Sequence, residues 1–192
     1  EFITDSTVPS APNRLKELSC TQFVEEVKRL LSTPYSEIAY TELIESETKR
    51  AYEAVQSKAN YNFSITPELF SQYQEIHFKA VEKLMAASIV VVRYGNSKQQ
   101  QLFVDAVVKL CMKPFINGEV GVVGTNLLHL FAAAFLLHTI GVACVKFGYF
   151  QLLNVIFKTK VSAGNVLSPS YGYNLAFLAG ICHWNTVDLN IY

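Results

Sequence analysis

TPELFSQYQEIHFKAVEKLMAASIVVVRYG, residues 66–95, is the stretch of sequence that decides the fold class. Thr66 is a good N-cap, Pro67 suits the first helical position, and Glu68 complements the positive end of a helix dipole. Apolar residues then recur at helical spacing as far as Gly95, which is typical of a helix C-terminus. The last turns are rich in β-branched residues and alone would also fit a strand, but the signals at both ends favour one long helix.

The residues before this segment predict two further helices. Ser19 stands three residues before Gln22, the spacing of a capping box, and the amphipathic pattern behind it ends at Pro34. A polar helix is expected from residue 36 to about residue 58. The charged residues of that helix predict a face exposed to water: Glu42, Glu47, Lys49 and Arg50. Residues 1–18, with several Pro, Ser and Thr, predict a flexible lead-in.

The residues after Gly95 predict a partner for the long helix. Ser97 and Gln100 have a second capping-box spacing, and the apolar pattern that follows ends at Pro114. Residues 66–112 are therefore expected to form an antiparallel helical hairpin closed by a tight Gly-Asn turn.

The C-terminal half predicts a second hairpin. Thr125 is expected to cap an apolar helix from Asn126 to about Val145, and a turn at residues 146–148 leads to a shorter helix from Tyr149 to Lys158. A Ser/Pro/Gly-rich stretch then precedes a last apolar segment, Leu175 to Ile181. The predicted fold is all-α: antiparallel helical hairpins packed as an irregular bundle or a short repeat-like array, with residues 19–192 as one domain.

Charge is distributed unevenly between the more charged residues 19–113 and the apolar residues 114–192. Of the chain's 32 Lys, Arg, Asp and Glu residues, 27 lie in residues 1–113. Because isolated charges stay in water, the apolar half must be covered by the rest of the chain, a partner, a missing segment or lipid. If protein covers this half, we expect it to form a helical core. If lipid covers it, we expect a membrane-associated protein with residues 126–157 in the bilayer.

Length and composition weigh on that choice. Residues 126–145 would rise about 30 Å as a helix, the thickness of a bilayer core. His129 and His138 lie within them, however, and no aromatic or basic belt flanks them. We therefore expect a buried helix. The zero net charge gives no electrostatic reason to bind nucleic acid.

No residue pattern predicts catalysis, a metal or a cofactor. The four histidines, His77, His129, His138 and His183, lack the spacing of metal ligands. The glycines of residues 118–124 lack the Lys and Ser/Thr of a phosphate-binding loop. Four well-separated cysteines, Cys20, Cys111, Cys144 and Cys182, predict reduced, mostly buried thiols in a cytoplasmic protein, and the N-terminus lacks a signal-peptide pattern.

Part of the sequence resembles a known group of helical regions. The pattern consists of Tyr73 in a long helix, a Leu-rich partner helix from Leu102 to Leu110, an apolar helix with residues 132–134 and Gly141, and the turn Gly148-Tyr149. From Pro67 to Lys160 it is similar to helical regions of bacterial conflict proteins, downstream of Sir2-like, Schlafen AlbA-like or NTPase modules. The resemblance implies a non-catalytic regulatory or assembly role.

Together these patterns predict a non-catalytic helical interaction module within a larger bacterial protein, used for oligomerisation, docking or sensing. A protein partner or self-association is expected because the poorly charged half from Pro114 onward is more apolar than the surface of an ordinary monomer. The residues predicted to make the contact are Leu127, Phe131, Ala134, Gly141, Tyr149, Phe150, Tyr171 and Tyr173.

Overall fold

The computed structural model describes residues 18–56, 66–112, 130–161 and 173–174. The fold is all-α, as predicted, and the described part contains six helices and two very short strands. They are α1 (Cys20–Ser32), α2 (Glu37–Gln56), α3 (Pro67–Tyr94), α4 (Ser97–Leu110), α5 (Phe131–Phe147), α6 (Phe150–Lys158), β1 (Lys160–Val161) and β2 (Tyr173–Asn174). The predicted lead-in up to residue 17, the cap Thr125 and the apolar segment 175–181 lie outside these residues.

The capping box predicted at the start of α1 is confirmed. Ser19 Oγ accepts a hydrogen bond from the Gln22 N–H at 3.3 Å, and Gln22 Oε1 accepts one from the Ser19 N–H at 2.9 Å. Phe23, Val27 and Leu30 are buried. Since they are spaced at i, i+4 and i+7, one face of α1 enters the core.

The turn between α1 and α2 contains an unusual backbone conformation. Tyr35 has a φ of 62°, in the left-handed region, which costs a residue other than glycine about 1–2 kcal/mol. The Ser36 hydroxyl donates to the carbonyls of Leu30 and Thr33, and the Thr33 N–H donates to Leu30 O at 3.3 Å. These bonds hold the turn and leave the Tyr35 side chain fully exposed.

Gly95 and Asn96 form the two-residue junction between α3 and α4. A Cβ on Gly95 would lie 2.7 Å from Val91 O, so glycine is needed for this close approach. The N-cap of α4 is Asn96, which exchanges capping-box bonds with Gln99 at 3.0 and 2.8 Å. The segment 88–92 is helical, so the strand alternative is excluded.

The predicted capping pair Ser97 and Gln100 is therefore wrong by one residue. Gln100 is buried, and its Nε2 donates to the carbonyls of Val92 at 3.1 Å and Gly95 at 3.2 Å. These carbonyls belong to the end of α3, where helical partners run out. Both spacings are present in the sequence, and the position of Gln100 against α3 decides between them.

Helices α5 and α6 confirm the second predicted helix pair. α5 begins at Phe131 and continues to Phe147, two residues beyond the predicted end, and residues 126–129 of the prediction lie outside the described part. Gly148, with a φ of 75°, is the left-handed C-cap. α6 then runs from Phe150 to Lys158, beginning one residue later than predicted because Tyr149 is its N-cap.

The long helix α3 is the centre of the bundle and packs against α1, α2, α4 and α5. Its most extensive interface is with α5 and not with its hairpin neighbour α4. Phe70 contacts Phe131 near the start of the two helices, with ring centres 5.5 Å apart, and Arg93 lies 5.3 Å from the Phe147 ring near their ends. α3 and α5 are therefore parallel, and α4 returns the chain between them.

Helix α2 lies on the other side of the α3–α4 pair from α5. The Arg50 Nη2 group donates to Ala80 O of α3 at 2.9 Å, and the Tyr40 hydroxyl donates to Gln99 O of α4 at 3.3 Å. α2 and α5 both pack on α3 and α4 but make no extensive contact with each other. Surfaces on α2 and on α5 consequently face different directions.

A short strand pair follows α6. β1 and β2 are antiparallel, with Lys160 opposite Asn174 and Val161 opposite Tyr173. The sequence does not predict this pair. Because β2 also contacts α6, it brings residues 173–174 back to the second helix pair.

Candidate interaction surface

The structure separates the predicted contact residues into groups. Phe131 and Ala134 are buried in the core, so they stabilise the bundle and present little surface to a partner. Gly141 is half-buried, whereas Tyr149 and Phe150 are exposed. Leu127 and Tyr171 lie outside the described residues, and Tyr173 is placed only by its backbone in β2.

One face of α5 is covered at its start and uncovered at its end. Phe131 and Phe135 are covered by Phe70 and Phe78 of α3, with ring centres 5.5 and 5.7 Å apart. Two turns further on, Val142 and Val145 are 68% and 63% exposed. These two valines are three residues apart and so share one side of the helix.

Helix α6 is apolar over a wider arc than its core contact requires. Leu152 and Ile156 are buried against the bundle. Phe150 and Phe157, seven residues apart and hence on one side of the helix, are 64% and 53% exposed. The half-buried Leu153 lies between the exposed and the buried apolar residues.

The end of α3 joins this exposed region. The Arg93 guanidinium lies 5.0 Å from the centre of the Tyr94 ring and 5.3 Å from that of Phe147. The Tyr149 hydroxyl donates to Arg93 O at 2.8 Å, which ties the α5–α6 turn to α3. We use the name α5–α6 surface for the exposed apolar side chains around this turn: Tyr94, Val142, Val145, Tyr149, Phe150 and Phe157.

The charged residues of α5 and α6, and of the last turn of α3, are all positive. Arg93, Lys146, Lys158 and Lys160 are exposed, and none of them forms a salt bridge within the part of the chain that the structure describes. No Asp or Glu occurs in residues 130–161. A partner that covers this surface would therefore meet apolar side chains and cations together.

Of the residues of this surface, only Tyr149 and Phe150 are among the predicted contact residues. Val142 and Val145 were missed because α5 is apolar on all sides, so its sequence does not show which side faces the core. Phe157 had a usable signal, since it lies two turns after Phe150 outside the arc of Leu152 and Ile156.

A second cluster, of charged groups, lies between α2 and α3. Glu47 is completely buried, so the prediction of a solvent-exposed face is wrong for this residue. Its Oε1 accepts from Arg50 Nε at 2.9 Å and Nη2 at 2.5 Å, and Lys83 Nζ lies 3.9 Å from Oε2. Arg50 also bonds to α3, which makes Glu47 part of a structural tie between the helices.

The histidines and cysteines form no obvious reactive site among the described residues. His77 is buried, 6.1 Å from the ring centre of Phe131, and His138 is exposed. Burial raises the pKa of the Cys144 thiol to about 11. No three His, Cys, Asp or Glu side chains of the described ranges are grouped as metal ligands would be, and His129, His183 and Cys182 lie outside those ranges.

A shallow cleft of about 160 Å³ lies between the starts of α2 and α4, lined by residues that include Tyr40, Thr41 and Gln99. It is smaller than the roughly 300–1,000 Å³ usual for small-molecule sites. Among residues 18–56, 66–112 and 130–161, none of the helices combines the length and hydropathy of a membrane span.

Comparison of the chain with protein-family models, curated proteins and solved structures gives no significant match. Among the described residues, the exposed apolar side chains of the α5–α6 surface are the feature that the folding of the chain alone explains least.

Proposed function

We propose that this chain is a helical protein-interaction module that associates through the α5–α6 surface. The observation that carries the proposal is the exposure of Val142, Val145, Phe150 and Phe157 on the two helices that one turn joins. Clusters of exposed apolar side chains rimmed by charged residues mark association sites in proteins.

The exposed apolar area of this surface can contribute substantially to association. Two phenylalanines that each lose on the order of 100 Å² of exposed area would contribute about 5 kcal/mol at about 25 cal/mol per Å². The valines and tyrosines of the same surface add to this. Phe and Tyr are also enriched where protein interfaces are most buried.

The position of the surface also supports the proposal. Tyr149 is bonded to α3, and the Phe147 ring is stacked by Arg93, so the turn is anchored to the central helix. A partner would meet side chains already held in place, which lowers the entropy cost of binding. The resemblance to helical regions of bacterial conflict proteins implies the same role, and we place this module in a larger, cytoplasmic bacterial protein.

The proposal is tested with Phe150→Lys combined with Phe157→Lys. The wild-type chain should be a dimer or larger by light scattering at about 100 µM, and the double variant should associate at least tenfold more weakly, because two cations replace the apolar contacts.

The matched control is Thr21→Lys combined with Gln72→Lys, which adds the same charge at exposed positions of α1 and α3, outside the α5–α6 surface. Its association should equal that of the wild type. A wild-type chain that stays strictly monomeric would contradict the proposed function, and equal weakening by both double variants would show that charge alone, and not this surface, governs association.

A further inference from the structure

A second exposed apolar element lies at the start of α2. Tyr35 is fully exposed in the α1–α2 turn, and Ile38, in the first turn of α2, is 74% exposed. We call these two residues the Tyr35–Ile38 knob. The Ser36 hydroxyl bonds and the left-handed backbone of Tyr35 fix the turn that presents them.

The exposed charges of α2 beside the knob are negative, and Lys98 of α4 lies across the cleft from Glu37. Glu37, Glu42 and Glu45 are exposed on α2. Glu42 and Glu45 are four and seven residues after Ile38, so they continue its side of the helix. None of the three carboxylates forms a salt bridge with a described residue.

The knob and the α5–α6 surface are complementary in both charge and hydrophobicity. The knob offers two apolar side chains beside carboxylates, and the α5–α6 surface offers apolar side chains beside Arg93, Lys146 and Lys158. The two elements do not cover each other within one molecule, because the apolar side chains of both are exposed.

We propose that the Tyr35–Ile38 knob of one copy of this chain docks on the α5–α6 surface of a second copy. This inference rests on the proposed function and identifies a second copy of the chain as the molecule that binds the α5–α6 surface. The alternative self-contact, in which two α5–α6 surfaces meet, would bring Arg93, Lys146 and Lys158 of both copies together, and like charges at an interface oppose binding. Knob-to-surface contact instead pairs cations with carboxylates.

The test uses two variants with one defective element each. The knob variant carries Tyr35→Asn, since asparagine tolerates the left-handed conformation, together with Ile38→Gln. The surface variant carries Phe150→Lys and Phe157→Lys. Each variant alone should associate at least tenfold more weakly than the wild type, because it lacks one half of the contact in every copy.

An equimolar mixture should then form a 1:1 complex in sedimentation velocity, because the intact surface of the knob variant can receive the intact knob of the surface variant. Ala39→Gln, at an exposed position next to Ile38, is the control for the knob and should associate like the wild type. Circular dichroism of each variant verifies that the helices are retained.

The outcomes separate this inference from the proposed function. A knob variant that associates like the wild type overturns the inference while the α5–α6 surface keeps its role. Two monomeric variants that remain monomeric when mixed also overturn it. A monomeric wild type that instead sediments with anionic phosphatidylserine vesicles, and loses this binding in the surface variant, overturns both and assigns the surface to lipid.

Discussion

The two halves of the described chain differ in whether their positively charged side chains are paired with carboxylates. From residue 18 to residue 83 every described cation is within 4.0 Å of a carboxylate: Lys28, Arg29, Lys49, Arg50, Lys79 and Lys83. From residue 84 onward no described cation forms such a pair: Arg93, Lys98, Lys109, Lys146, Lys158 and Lys160. The first region pairs its positive charges internally, whereas the second leaves its positive charges available to another molecule.

The apolar residues of α1 and of the α5–α6 pair differ in the same sense. In α1 the buried residues Phe23, Val27 and Leu30 form one face, and the exposed residues are largely polar. In α5 and α6, Val142, Phe150 and Phe157 remain exposed although the opposite sides of both helices are buried. The second region therefore exposes apolar side chains that do not contribute to its core.

The largest expected effect comes from breaking the charge pairing of the first region. Glu47→Ala removes a completely buried carboxylate and leaves Arg50 and Lys83 without their counter-charge. We expect a loss of about 3 kcal/mol in the free energy of unfolding, measured by urea denaturation. Glu45→Ala, at an exposed position on the same helix, should change stability by less than about 0.5 kcal/mol. Equal losses in the two variants would show that Glu47 is not buried as described.

An intermediate effect distinguishes the two apolar sides of α6. Leu152→Ala empties a buried position and should lower stability by about 2 kcal/mol, since this short helix can relax around the gap. Phe150→Ala removes a larger but exposed side chain and should change stability by less than about 0.5 kcal/mol. Unfolding is measured at low protein concentration, so that association does not contribute. A large loss for Phe150→Ala would mean that this ring belongs to the core and not to an interaction surface.

The smallest effect is expected at the junction between α3 and α4. Asn96→Ala removes the N-cap of α4 and should lower stability by about 1 kcal/mol. Ser97→Ala should change it by less than about 0.5 kcal/mol, because Ser97 is the first helical residue and not the cap. Thermal unfolding of the two variants decides the register of the capping box, and the reverse order of stabilities would restore the pair Ser97 and Gln100.

Local signals predicted most of the helix ends. Ser19, Pro34, Gly95 and Gly148 each act within one helical turn, so their effects can be inferred without knowledge of the fold. The choice of Asn96 over Ser97 could not be made this way. It depends on Gln100 reaching back to the carbonyls of Val92 and Gly95.

The α5–α6 surface could be predicted only in part. Tyr149 and Phe150, two of the predicted contact residues, are exposed, whereas Phe131 and Ala134 from the same prediction are buried. The Tyr35–Ile38 knob was not predicted, because in the sequence an exposed isoleucine such as Ile38 cannot be distinguished from the buried apolar residues of an amphipathic helix.

The sequence by itself determined that this chain is all-α, where most of its helices begin and end, and that its charges are concentrated in the first half. These properties follow from hydrogen bonds and side-chain preferences over three or four residues. Only the tertiary structure decided that α3 and α5 are parallel, that Glu47 is internal, and which sides of α5 and α6 remain exposed. Those properties depend on residues far apart in the chain, and a helix as uniformly apolar as α5 has no sequence signal that fixes its buried side.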